Sequence, residues 1–145
     1  MSSDKFDERQ LQIRGNIFKH GVFTAIGLLL ANAFLQKAGI LWASGFHQNI
    51  LLLMLTVTVI SVAFHVRGVY FAENGTQRRM FLSVFTVAAL MLSVSSVVFI
   101  IDGDTLIAGG MLTDTGFFLV LAILFWVNLI CGFACAAIEK RKNPQ

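Results

Sequence analysis

The chain is short of charge. Of its 145 residues, 13% are Asp, Glu, Lys or Arg, against about 25% in an ordinary soluble domain. With 57% hydrophobic residues, that scarcity argues against a soluble globular domain, a disordered chain and a nucleic-acid-binding module. Proline occurs once, at Pro144, so no proline kinks any apolar run. Cysteine is confined to Cys131 and Cys135. That i, i+4 spacing in an apolar run suits a bridge poorly, which argues against a disulfide framework. No Asp or Glu falls in the middle of a long apolar stretch, where a proton-coupled pump commonly keeps an ionisable group. No H-E-x-x-H, G-x-S-x-G, P-loop or Rossmann pattern is present.

What the chain has instead is long apolar runs. A transmembrane helix needs about 20 mostly apolar residues, and four stretches qualify: about Ile17–Gln36, Ile50–Phe71, Met80–Ile101 and Thr115–Ile138. The joints between them are short. Lys37 to Asn49 joins spans one and two. Ala72 to Arg79, with the turn-forming run Glu73-Asn74-Gly75-Thr76, joins two and three. Asp102 to Asp114, with Gly103, Gly109 and Gly110, makes an irregular or interfacial third joint. Short joints place consecutive helices side by side and antiparallel. The expected fold is therefore an all-α membrane protein: a four-helix up-down bundle over residues 17–138, an amphipathic cytoplasmic segment over 1–19, and a basic cytoplasmic tail over 139–145.

The net charge of +3 reflects bases at the edges of the apolar runs. Lys5, Arg9, Arg14 and Lys19 precede span one, Arg67, Arg78 and Arg79 flank the second joint, and Lys140, Arg141 and Lys142 follow span four. The other two joints hold only Lys37 as a base, together with Asp102, Asp104 and Asp114. By the positive-inside rule both termini are cytoplasmic. Trp42 and Tyr70 suit interfacial anchoring. One rival reading is a cleaved signal peptide, with Val22–Leu30 as its apolar region and Ala31-Asn32-Ala33 as its cleavage site. Against it stand a long preceding segment containing Asp4, Asp7 and Glu8 and an apolar run continuing through Phe34 and Leu35. The expectation is that the segment stays on the protein.

In the run DKFDERQLQIRGNIFK, residues 4–19, Ser3 or Asp4 is placed to cap a helix, with Asp7 and Glu8 in its first turn. Phe6, Ile13 and Ile17 share one face, and Lys5, Arg9, Gln12 and Asn16 lie roughly opposite. The pattern predicts an amphipathic helix at the inner leaflet, bending near Gly15 into span one. It serves as a topology anchor or as a docking surface. In the docking reading, Asp7, Glu8, Arg9 and Arg14 are the candidate partner-binding residues. The opening Asp7-Glu8-Arg9-Gln10, followed by Ile13, Arg14 and Lys19, resembles that of small uncharacterised multi-span membrane proteins of Gram-positive bacteria. The resemblance covers about the first 20 residues. It implies a bacterial plasma membrane protein with an accessory role, and no catalytic residues.

Polar groups in hydrocarbon usually face a partner helix or a cavity. Asn32 lies about 18 Å in from His20, and Asn128 about 15 Å in from Ile138, at about 1.5 Å per residue. The two amides are at similar depth and are candidates for a hydrogen bond across the bundle, or for lining a solute site. Small residues at four-residue spacing (Asn128, Gly132 and Ala136; Gly27 and Ala31; Ala89 and Ser93) offer seams for close packing. His20, His65, Cys131 and Cys135 are the candidate metal ligands. They lack C-x-x-C or H-x-x-x-H spacing, so packing cysteines and interfacial histidines are the expectation, with no metal and no cofactor. Asp102, Asp104 and Asp114 form an outer acidic patch, either for a cation or for keeping the loop wet.

Three functions are compatible with this pattern. A non-enzymatic accessory or regulatory membrane protein, acting through a protein partner, rests on the charged N-terminal helix and the missing chemistry. A small oligomeric transporter or channel rests on Asn32, Asn128, Ser93, Ser95 and Ser96. A membrane enzyme or metal protein rests on the histidines and cysteines. The first is the reading favoured here. The lipid bilayer is the one partner composition itself implies, and nucleic acid is not expected.

Overall fold

The computed structural model describes the backbone of residues 7–69 and 75–142, and the side chains of residues 7–69 and 79–138. Four helices make up nearly all of it: α1 (Glu8–Lys37), α2 (Gly45–Val66), α3 (Gly75–Ile101) and α4 (Asp114–Lys142). A short hairpin, β1 (Ile107–Ala108) and β2 (Met111–Leu112), lies between α3 and α4. All four helices are long and apolar enough to cross a membrane, with best-window hydropathies of 1.5, 2.1, 2.5 and 2.5 in chain order. The chain is a multi-pass membrane protein by that criterion. The expected roles of Ser3, Asp4, Lys5, Phe6, Tyr70 and Glu73, and of the side chains of Arg78, Lys140, Arg141 and Lys142, lie outside the described residues.

Several boundaries differ from the sequence reading: α3 starts at Gly75, inside the expected second joint, α4 runs on to Lys142, and two larger differences concern α1 and α2. The N-terminal segment is not a separate amphipathic helix. Asp7 caps α1, Gln10 Oε1 accepts from the Asp7 N–H at 3.3 Å, and one helix of 30 residues runs on to Lys37. Gly15 leaves it unbroken, because helix propagation through one glycine costs only about 1 kcal/mol. At about 1.5 Å per residue α1 is about 45 Å long, well beyond a hydrocarbon core of about 30 Å. The second difference is in α2, which starts and ends about one turn earlier than the apolar run suggests. Ser44 caps it by accepting from the His47 N–H at 3.3 Å. At its other end Gly68 takes φ +65° and the Val69 N–H returns to the Phe64 carbonyl. The same closure ends α1 at Gly39 (φ +76°) and α3 at Gly103 (φ +96°). Only glycine takes that left-handed position without a Cβ penalty, so the Schellman motif stops each helix where a glycine sits, even when apolar residues follow.

The third joint is more ordered than irregular. Ile107 pairs with Leu112 and Ala108 with Met111, around Gly109 and Gly110 at φ +58° and +81°. Positive φ at both turn positions is what a type I′ hairpin requires. Leu112 donates to the Trp42 carbonyl at 2.8 Å, so the hairpin stitches joint one to joint three. We call this the hairpin end. Beside it Gly116 of α4 lies against the Leu106 carbonyl and the Leu112 side chain.

The main packing pairs are α1 on α2, α2 on α4 and α3 on α4. Among the described residues α2 packs less extensively on α3 than on α4, though His65 lies 5.8 Å from Phe81, ring centroid to centroid. Along α3 and α4 the register runs in opposite senses: Phe99 meets Phe118, Ser93 meets Trp126, and Leu82 meets Gly132. Along α2 and α4 it runs in the same sense, from His47 and Asp114 to Thr58 and Asn128 and then His65 and Gly132. Gly21 is the packing glycine of α1, seated against Ile60. A Cβ added at Gly27 would meet nothing within 4 Å and Ala31 is exposed, so this pair seats no other described helix of the chain.

Candidate functional site: buried polar groups along the second helix

Among the described residues nine polar ones are buried, and five of them lie on α2: Gln48, Thr56, Thr58, Ser61 and His65. Thr58, Ser61 and His65 follow at i, i+3 and i+7, one face of a helix. Gln48, near the start of α2, is fully buried. Its Oε1 accepts from Gln36 Nε2 at 2.6 Å and from Asn32 Nδ2 at 3.4 Å, and its Nε2 donates to the Ala43 carbonyl at 2.8 Å. Asn32 Oδ1 in turn accepts from Trp42 Nε1 at 2.8 Å. This cluster fixes joint one against both its helices at the hairpin end. Next to it His47 stacks on Phe117 with ring centroids 4.2 Å apart, and its Nε2 lies 3.3 Å from Asp114 Oδ1.

Asn128 belongs to a different layer. Its Nδ2 donates to Thr58 Oγ1 at 3.1 Å and to the Leu124 carbonyl at 2.8 Å. Asn32 and Asn128 therefore bond across helix pairs but not to each other. Ten residues separate Gln48 from Thr58 on α2, about 15 Å of rise. The expectation of similar depth rests on approximate span ends, and the two amides sit in layers about 15 Å apart along α2. Between the two layers lies an apolar one: Leu51, Phe117 and Leu121, with Met54, Leu92 and Val120 packed around them.

At the far end, Ile13 and Ile17 of α1 pack on Phe64 and Val69. Arg14 donates to the Val69 carbonyl at 3.1 Å, and its guanidinium lies 5.3 Å from the Phe64 ring centroid. Arg14, half-buried, is thus engaged within the chain. Asp7, Glu8 and Arg9 are exposed.

The other candidates disperse. His20 is exposed on α1, His65 is buried on α2, and Cys131 and Cys135 are free thiols. No group of three or more potential metal ligands gathers among the described residues. Ser93, Ser95 and Ser96 each donate to the carbonyl four residues earlier, so their hydroxyl protons are spent within α3. Asp104 Oδ2 accepts from Thr115 Oγ1 at 3.3 Å beside an open recess of about 230 Å³ lined by Asp104, Thr105, Thr113, Asp114 and Thr115. Gln48 escaped the sequence reading because it was assigned to a joint. The spacing of Thr58, Ser61 and His65 was there to be found. Comparison with known families, curated proteins and solved structures finds no match for this chain.

Proposed function

We propose that the protein is a non-enzymatic accessory or regulatory component of a bacterial plasma membrane that acts through a protein partner. In this reading the helices form an up-down bundle with both termini cytoplasmic. The observation that carries it is the anchored start of α1. Ile13, Arg14 and Ile17 lock that part of the helix to the end of α2, and the preceding turn holds Asp7, Glu8 and Arg9 in the open. A bare topology signal needs bases alone, and acids do not strengthen attachment to an anionic leaflet. A rigid, mixed-charge stub suits recognition of a protein surface of complementary charge.

The apolar layer of Leu51, Phe117 and Leu121 separates the polar clusters, which supports this reading over a conducting path through one copy. The rival, a small oligomeric transporter or channel, draws on the buried amide of Asn128.

The test is co-purification from native membranes, comparing wild type with the double substitution Asp7→Lys, Glu8→Lys. The expected result is normal insertion with loss of specific bound proteins. An unchanged set, or a wild-type protein that purifies alone and conducts a solute in liposomes, supports the transporter instead. Topology is checked separately. An impermeant thiol reagent added from outside should label Thr105→Cys and miss Gln77→Cys in a Cys131→Ala, Cys135→Ala background.

A further inference from the structure

The buried polar atoms Asn128 Oδ1, on α4, and Ser61 Oγ, on α2, have no hydrogen-bond partner among the described residues. Asn128 is 2% exposed and Ser61 4%. They share a layer. One turn toward the hairpin end, Thr58 Oγ1 accepts from Asn128 Nδ2. One turn the other way, the His65 ring fills the space over Gly132, 3.4–3.5 Å from where a Cβ would stand. Ser61 lies on α2 between Thr58 and His65, and Asn128 on α4 one turn before Gly132. The serine hydroxyl and the amide oxygen therefore occupy the same stretch of the α2/α4 interface.

Ser61 also differs from several other hydroxyls of the spans. Thr56, Thr86, Ser93, Ser95 and Ser96 all donate to the carbonyl four residues back. Ser61 makes no such bond. A polar oxygen buried in a bilayer without a partner carries a cost of several kcal/mol, about what an unpaired amide or hydroxyl costs in hydrocarbon. The amide oxygen needs a donor, and the hydroxyl can both give and take a hydrogen bond.

We infer that this layer is a binding site for one water molecule, which donates to Asn128 Oδ1 and bonds Ser61 Oγ. A buried water commonly makes about three such bonds. Two neutral oxygens suit a water better than a bare cation, which takes about six or more oxygen ligands. The site lies on the far-end side of the apolar layer formed by Leu51, Phe117 and Leu121. It does not depend on the partner-protein reading above.

The first test is a double-mutant cycle on the full chain in detergent, with Ser61→Ala, Asn128→Leu and the pair. If one water links the two groups, each single change lowers the folding equilibrium constant about threefold to tenfold. The pair then costs little more than Asn128→Leu alone, because the water is already lost. Additive effects overturn the proposal. The second is a high-resolution structure of the full chain in a nanodisc. Density within hydrogen-bond distance of both oxygens supports the site. A direct Ser61–Asn128 bond, or Ser61 back-bonded to Val57, overturns it. As a third arm, the melting temperature is compared in sodium chloride and choline chloride. Equal values are expected, and stabilisation specific to sodium reassigns the site to a cation.

Discussion

Helices α2 and α4 bury 33% of their most apolar stretch, while α1 and α3 bury 17% and 11%. Hydropathy does not predict the division: α3 and α4 have the same best-window value, 2.5, and α2 at 2.1 is less apolar than either. In a bilayer the lipid tails are as apolar as leucine, so greasiness brings no helix inward. What distinguishes α2 is buried polarity. Among the described residues, five of the nine buried polar ones lie on α2, Thr115 and Asn128 on α4, and one each, Asn32 and Ser96, on α1 and α3. A polar group avoids hydrocarbon by facing another helix, and that draws its helix into the interior.

The comparison can be broken most directly where an inner helix meets the hairpin. A Cβ at Gly116 would meet the Leu106 backbone carbonyl and lie 2.7 Å from Leu112 Cδ1. Gly116→Leu should cost about 3 kcal/mol in detergent unfolding, since backbone cannot yield as a side-chain tip can. Next comes Gln48→Leu. It strands the donors of Asn32 and Gln36 and the Ala43 carbonyl, with an expected loss of about 2 kcal/mol by the same measurement. Asn128→Leu should cost about 1 kcal/mol, the scale of an interhelical hydrogen bond in a membrane. Smallest is Val94→Ala on the flanking helix α3, where the side chain is 61% exposed; the change should stay within about 0.5 kcal/mol. If Val94→Ala matched Asn128→Leu in thermal shift, α3 would have a protein neighbour rather than lipid, and the division into inner and flanking helices would fail.

Much of this was legible in the residues. Apolar length alone located four spanning helices, but the hairpin around Gly109 and Gly110 read as an irregular joint. Less legible was which helix packs on which. Short joints make neighbours of consecutive helices by default, and here, among the described residues, α4 packs on α2 more extensively than α3 does. Asn32 was singled out correctly as a buried polar residue, but its partners Trp42 and Gln48 lay in what read as a loop, because a glutamine beside Ser44 and His47 does not resemble the first turn of a span. His47 was passed over for the same reason. The role of Arg14 was hidden because its partner is a backbone carbonyl at Val69, which no side-chain pattern advertises.

The packing order also sets a schedule. Domains and helices emerge from synthesis N-terminal first, and Thr58 of α2 is met by Asn128 on α4, which follows it by 70 residues. At about 5–20 residues per second, several seconds pass while the chain through α3 and the hairpin is produced. For that interval the hydroxyls of the newborn α2 must be sheltered by the insertion machinery or by transient water.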